Sequence, residues 1–215
     1  MIPLLHDLAD ETVLVFGGGT VGARKARRFA TEASVVVLSP AFADVDFGGA
    51  ALVRARPQPA DVSAWLSRVD PPLVVAATDD AALNETVATV ARDQGRLVNR
   101  ADVAGERAAG SVVLPAIARD GPVVAGVGTG GRSPALSAHL RDRIQDEVEG
   151  AGEMARLTAD LRASLRERDL PADRRRAALR AVLTNRDVWT ALDSGGSNAR
   201  QLAEDVIDNV TGDST

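Results

Sequence analysis

Residues 12–29 read TVLVFGGGTVGARKARRF. The first five are apolar or β-branched, three consecutive glycines follow, and from Val21 the residues suit a helix. A strand that runs through glycines straight into a helix sets the free N–H groups of the first turn, and the positive end of the helix dipole, at the strand's carboxyl end. An anion is favoured there. Gly17, Gly19 and Gly22 also fit G-x-G-x-x-G. In that pattern the first glycine makes the tight turn, the second admits a pyrophosphate to the backbone, and the third lets helix pack on strand. Gly18, Thr20 and Val21 complete a loop expected to hold the phosphates of a dinucleotide.

Outward from this loop, the first hundred residues alternate short apolar runs with helical patterns. Strands are expected at residues 12–16, 34–39, 51–56, 73–78 and 97–100, and helices at 21–32, 61–69 and 81–94. The runs at 35–38 and 73–77 lack strict alternation, as strands do when both faces of a sheet are covered. Repeating β-then-α order predicts an α/β protein with a Rossmann-like, doubly wound parallel sheet. After Gly110 the pattern changes. Two apolar runs flank Arg119-Asp120-Gly121-Pro122, which reads as a hairpin. From Ser133 onward the chain is helical, with breaks expected at 150–152, 169–171 and 194–197. The division is therefore a Rossmann domain at 1–110, a hairpin and helix segment at 111–150, and a helical C-terminal domain at 151–215. Arg174, Arg175 and Arg176 read as a solvated helix face.

Composition narrows the function. The chain has 215 residues with a formal net charge of −5, so it is a poor general nucleic-acid binder. It has no apolar run long enough to cross a bilayer, and MIPLLHDLADE has no basic n-region and meets acids by Asp7, which predicts a cytoplasmic protein. Without cysteine it forms no disulfide or thiolate metal site. Its acids are 21 Asp and 9 Glu, and Lys25 is its only lysine. A salt-loaded cytoplasm and a GC-rich genome explain that bias equally well. For metal, the histidines are only His6 and His139. His6 is expected to pack near the first strand and His139 to lie on a helix, so no metal site is assigned.

The cofactor is read from strand ends. A dinucleotide fold normally has Asp or Glu at the end of the second strand for the adenosine ribose, or Arg nearby for a 2′-phosphate. Here Ser39 and Pro40 stand there with no adjacent Arg, which favours NAD mildly over NADP. Ala76, Ala77 and Thr78 are small residues where the nicotinamide half should pass. Asp79 or Asp80 would also suit as an ordinary helix cap.

Three segments together resemble the dehydrogenase module of sirohaem synthases, the precorrin-2 dehydrogenase family. They are GGGTVGARKAR at 17–27, VVAATDDAALNETV at 74–87, and VNRADVAG from 98 followed by SVVLPAIARDGPVVAGVGTGGRSPALSAHLRD from 111. The resemblance covers about residues 1–145 and is most specific in its last part. It implies oxidation of precorrin-2 to sirohydrochlorin with NAD+ as hydride acceptor, in a homodimer in which hairpins and helices of two subunits complete each cleft. The residues 111–150 are then the dimerisation segment. The family's essential aspartate, in an Asn-x-x-Asp pattern, falls on Asp102 after Asn99, as general base or as an orienting group. Precorrin-2 is polyacidic, so Arg24 or Lys25 on the first helix and Arg100 beside Asp102 are candidates for its carboxylates. Thr129, Gly130, Gly131 and Ser133 form a second candidate anion site, with Ser133 as N-cap and the Thr129 hydroxyl turned to the pocket. The loop at 103–110 is longer than in the bacterial fusion enzymes. Their fused methyltransferase domain does not appear, so the resemblance implies that another protein supplies precorrin-2.

Three other readings are distinguishable. A bifunctional dehydrogenase and ferrochelatase would insert Fe2+ into sirohydrochlorin faster than the uncatalysed reaction. A non-catalytic NAD or tetrapyrrole-binding module would bind without turnover. A nucleotide-sensing regulator of potassium transport would need the ribose-binding acid that Ser39 replaces.

Overall fold

The computed structural model describes residues 2–103, 108–195 and 198–212. The chain divides into two compact units, Met1–Leu114 with Gly130–Arg132, and Pro115–Thr129 with Ser133–Thr215.

The first unit is built on five parallel strands: β1 (Thr12–Phe16), β2 (Ser34–Ser39), β3 (Ala51–Arg54), β4 (Leu73–Ala76) and β5 (Leu97–Arg100). Their order across the sheet is β3-β2-β1-β4-β5, all pairs parallel. The chain starts at the centre, winds out to β3, then crosses β1 to β4. The direction of winding reverses at β1 and β4, where ligands enter such sheets. Side chains alternate through the sheet. Leu14, Phe16 and Val74 face Val62 and Leu66 of α2 (Val62–Val69) and Val87 and Ala91 of α3 (Ala81–Asp93). Val13, Val15 and Val75 lie on the opposite side with Ala23, Ala26 and Phe29 of α1 (Thr20–Phe29). Burial on both faces is why these strands carry no polar alternation.

Several boundaries differ from expectation. β3 stops at Arg54 because the last ladder contact is Ala55 N donating to Ser39 O at 3.1 Å, and Pro57 follows soon after. β4 stops at Ala76 because the Thr78 N–H turns to a side chain, Asn84 Oδ1, at 3.1 Å. α1 starts one residue earlier and ends three earlier than its pattern suggests, at Phe29.

The second unit opens with an antiparallel hairpin, β6 (Ala116–Asp120) and β7 (Val123–Val127). Gly121 at its turn has φ +52°, the sign that a two-residue II′ turn needs at its first central position. Helices α4 (Pro134–Val148), α5 (Ala151–Glu167), α6 (Ala172–Thr184), α7 (Arg186–Asp193) and α8 (Ala199–Thr211) follow. Met154, Leu157, Leu161 and Leu165 recur at helical spacing on α5 and meet Val182, Val188, Ala203 and Ile207 in a separate core. The break expected at 150–152 is narrower. Gly152 lies within α5, where its N–H bonds Asp120 Oδ2 at 2.8 Å and a Cβ would stand 2.8 Å from Asp120 O. A further break falls at Asn185, which accepts from Asp187 N and Val188 N to cap α7. Part of the 194–197 break lies outside the described residues. Of the arginine run, Arg174 and Arg175 donate to the Thr211 and Leu170 carbonyls, so the face is only partly solvated. Among the described residues, no helix is long and apolar enough to cross a membrane.

Candidate active site

The carboxyl ends of β1, β2, β3 and β4 open into a cleft of about 800 Å³, the size of a cofactor site. The loop after β1 forms its floor. Gly17 has φ +116°, and a Cβ there would lie 2.2 Å from Ala77 O. At Gly22 a Cβ would meet Gly17 O at 1.9 Å, so the helix can sit on the loop only without one. Gly18 is similarly closed in, since a Cβ there would lie 2.4 Å from Ala41 O. Gly19 differs: nothing lies within 4 Å of where its Cβ would be. That open space stands before the N-terminus of α1 and suits a pyrophosphate, so the residues fit a dinucleotide.

Gly17, Gly18, Gly19, Thr20, Val21, Ser39, Pro40, Ala77 and Thr78 all line this cleft. Gly22 and Ala76 do not. Gly22 lies under the loop, and Ala76 is fully buried in the sheet. The fold also brings in Arg56, Pro57, Gln58 and Pro59, from the end of β3. An arginine therefore does line the cleft on the Ser39 side, although none is adjacent to Ser39 in sequence. Parallel pairing of β2 with β3 puts it there, which a reading of the second strand alone could not reveal.

Asp102 follows β5 and is not among the cleft-lining residues. Arg100 holds it with two hydrogen bonds, Nε to Oδ1 at 3.1 Å and Nη2 to Oδ2 at 2.7 Å. This charge-assisted pair, helped by a hydrogen bond from Asn84, keeps the Asp102 carboxyl below the usual aspartate range, against partial burial. Arg100 also pairs with Glu85, and its own pKa is raised, first by the bond to Asp102. A substrate carboxylate would compete with both acids for it. Arg100, Arg92 and Ser111 border a second cavity of about 190 Å³.

Asn84 was not picked out by its position in the sequence. It is fully buried on α3, accepts from Thr78 N and Thr78 Oγ1 (2.7 Å), and donates to Thr78 O at 3.0 Å. One amide thus fixes the cleft wall at Thr78 and touches Asp102. The available hint was a polar residue on the apolar side of a helix. Asp80 is the cap of α3, accepting from Ala82 N and Leu83 N. Asn99 is 3% exposed and donates to Val112 O at 2.7 Å, which ties β5 to the next segment.

The remaining candidates lie elsewhere. Arg24 is exposed, Lys25 half-buried, and neither lines the cleft. Arg27 donates to Asp46 O, and burial lowers the pKa of Arg28. Ser133 caps α4, accepting from Leu136 N at 3.2 Å. The Thr129 hydroxyl is not free for a pocket. It donates to Ser133 O or meets Ser137 Oγ, each at 3.0 Å, and accepts from Ser133 N. Gly130 and Gly131 adopt φ of +64° and +81°. His6 is exposed rather than packed, and so is His139. Among the described residues no cluster of His, Asp or Glu could hold a metal ion.

Residues 4–116 match a family model described as putative NAD(P)-binding. The precorrin-2 dehydrogenase of Methanosarcina barkeri is 31% identical over 215 residues, covering 96% of this chain and 93% of that protein. The sirohaem synthase of Pseudomonas putida (strain F1) is 33% identical over 96% of this chain, but the match spans only 44% of its length. That of Methylococcus capsulatus is 35% identical over 77% of this chain and 35% of its own. A solved structure of a precorrin-2 dehydrogenase, SirC, superposes with a TM-score of 0.69 over 97% of this chain and all of that one. At 21% identity, this likeness speaks to the fold.

Proposed function

This chain belongs to the precorrin-2 dehydrogenase family, and from that premise we propose that it oxidises precorrin-2 to sirohydrochlorin with NAD+ in sirohaem synthesis. One observation carries the reading. A phosphate loop whose Gly19 faces open space lies opposite the small residues Ala77 and Thr78, in a chain similar almost end to end to a named precorrin-2 dehydrogenase.

When bound, NAD+ supplies a two-electron hydride acceptor. The macrocycle loses one hydrogen as hydride and a second as a proton, giving sirohydrochlorin, NADH and H+. Gly17–Val21 hold the pyrophosphate, Ser39 and Pro40 border the adenosine half, and Ala77 and Thr78 leave room for the nicotinamide half. Asn84 keeps Thr78 in place. Departure of hydride leaves positive charge on the macrocycle. Asp102, ionised and aimed by Arg100, stabilises that charge as a fixed anion. Its lowered pKa makes it a weak base, so its main contribution is electrostatic and proton release to water follows. Arg100, with Arg24 or Lys25, is assigned to the substrate's acids, and the backbone of Gly130 and Gly131 ahead of the Ser133 cap to a second anion site, while Asn99 and the Thr129 hydroxyl serve within the chain. The protein works in the cytoplasm as a homodimer. Its ligands are small molecules, with neither nucleic acid nor membrane as partner.

The test is an anaerobic absorbance assay on precorrin-2. Sirohydrochlorin and NADH should appear one for one, and Asp102→Ala should lose about 100-fold or more in rate while still binding NAD+. Binding without turnover in the wild type would replace this reading with a carrier or sensor.

A further inference from the structure

The adenosine end of the cleft carries a cation and no lining carboxylate. β2 ends at Ser39, 7% exposed, and Pro40 has no N–H. Neither supplies the acid that pairs with a ribose 2′-hydroxyl and repels a 2′-phosphate. Two arginines come round from β3. Ser39 pairs with Arg54, whose guanidinium donates to Pro40 O at 3.1 Å and lies over the Phe42 ring, 5.9 Å from its centroid. Arg54 is therefore committed to the wall. Arg56, two residues on, lines the cleft beside Ser39, Pro40 and Ala41. Its carbonyl accepts from Gln58 Nε2 at 3.4 Å, while the residue is exposed and its side chain makes no ion pair among the described residues. The lining acids, Asp79 and Asp80, follow β4 at the opposite side, and Asp80 is engaged in capping α3.

We propose that Arg56 is a cofactor-selecting residue that receives the 2′-phosphate of NADP+, so that the cleft takes NADP+ as well as NAD+. A guanidinium offers paired donors that match phosphate oxygens, and the one carboxylate bordering the neighbouring cavity with Arg56, that of Asp61, already accepts from Gln58 N at 2.8 Å. The inference rests on the dinucleotide reading of the cleft and is independent of the tetrapyrrole.

Titration calorimetry on the intact protein, with NAD+ and NADP+ in turn, tests it without any turnover. The wild type should bind NADP+ within about tenfold of NAD+. Arg56→Gln should weaken NADP+ about tenfold or more and leave NAD+ within about twofold. Raised salt should weaken NADP+ more than NAD+. Absence of NADP+ binding alongside normal NAD+ binding overturns the role of Arg56 alone. Equal weakening of both by Arg56→Gln also overturns it, because the side chain would then be stacking on the shared adenine. Failure of both nucleotides to bind overturns the cleft reading as well.

Discussion

A carboxylate clasped by a guanidinium through two hydrogen bonds is a different reagent from a free aspartate, and Asp102 is such a group. Arg100 lowers its pKa foremost, with Asn84 adding a smaller push in the same direction. Because the folded value is depressed, the anion is fully present above the ordinary aspartate range and is lost only as pH falls through the lower, folded value. Activity that depends on the Asp102 anion therefore keeps its acid limb below the usual carboxylate range. Arg100→Gln releases that hold, so the acid limb of the kcat/KM profile should move to higher pH. A limb that stays in place while KM rises would mean that Arg100 serves the substrate and does not tune Asp102. Sirohydrochlorin formation measured from about pH 3, inside the usual aspartate range, to neutral pH distinguishes the two.

At the scale of the element, the strand–loop–helix unit of β1 and α1 separates fold from ligand binding glycine by glycine. Gly22→Ala puts a methyl 1.9 Å from Gly17 O, backbone against backbone, and should destabilise by about 1–3 kcal/mol or more in denaturant unfolding. Gly19→Ala meets nothing within 4 Å, so its stability should stay near wild type while NAD+ affinity falls about tenfold or more. If Gly19→Ala binds NAD+ normally, the pyrophosphate lies elsewhere. This unit was legible because everything it needs is local: apolar strand, glycines and helix within residues 12–29. The parallel sheet and the hairpin followed from equally local patterns. What escaped depended on pairing or on single side-chain orientations. Arg56 lines the cleft only because β3 lies beside β2, and no spacing within either segment announces that. Asn84 reads as any polar residue of a helix until burial aims its amide at Thr78. The sequence turns Thr129 to a pocket, but the nearer N–H and C=O of Ser133 hold its hydroxyl. The Gly150–Gly152 pair looked like one break, yet Gly152 is helical because Asp120 caps it from the hairpin.

For the whole molecule, the open question is what covers the hairpin and α4. A two-stranded sheet is marginal alone, and α4 supports it at one edge: Gln145 accepts from Arg119 N at 3.0 Å and donates to Arg119 O at 3.1 Å. Yet none of the 15 residues of α4 is buried, although Leu136, Leu140, Ile144 and Val148 recur every four residues along it. Leu136 is 47% exposed and Ile117 of β6 is 36% exposed. In contrast, α5 buries Met154, Leu157, Leu161 and Leu165 within a single chain. An apolar stripe left unburied in one helix while its neighbour's is fully covered suits a surface that a second copy completes. The expected particle in sedimentation velocity is therefore twice the 22.4 kDa of the chain. Leu136→Asp should shift it to the monomer with the far-UV circular dichroism unchanged, since this side chain supports no core of its own chain. If the partner also completes the cleft, the monomeric variant should keep NAD+ binding, whose loop lies wholly in the first unit, and lose precorrin-2 turnover. A wild-type monomer with full turnover would leave the stripe without this role and place the whole reaction within one chain.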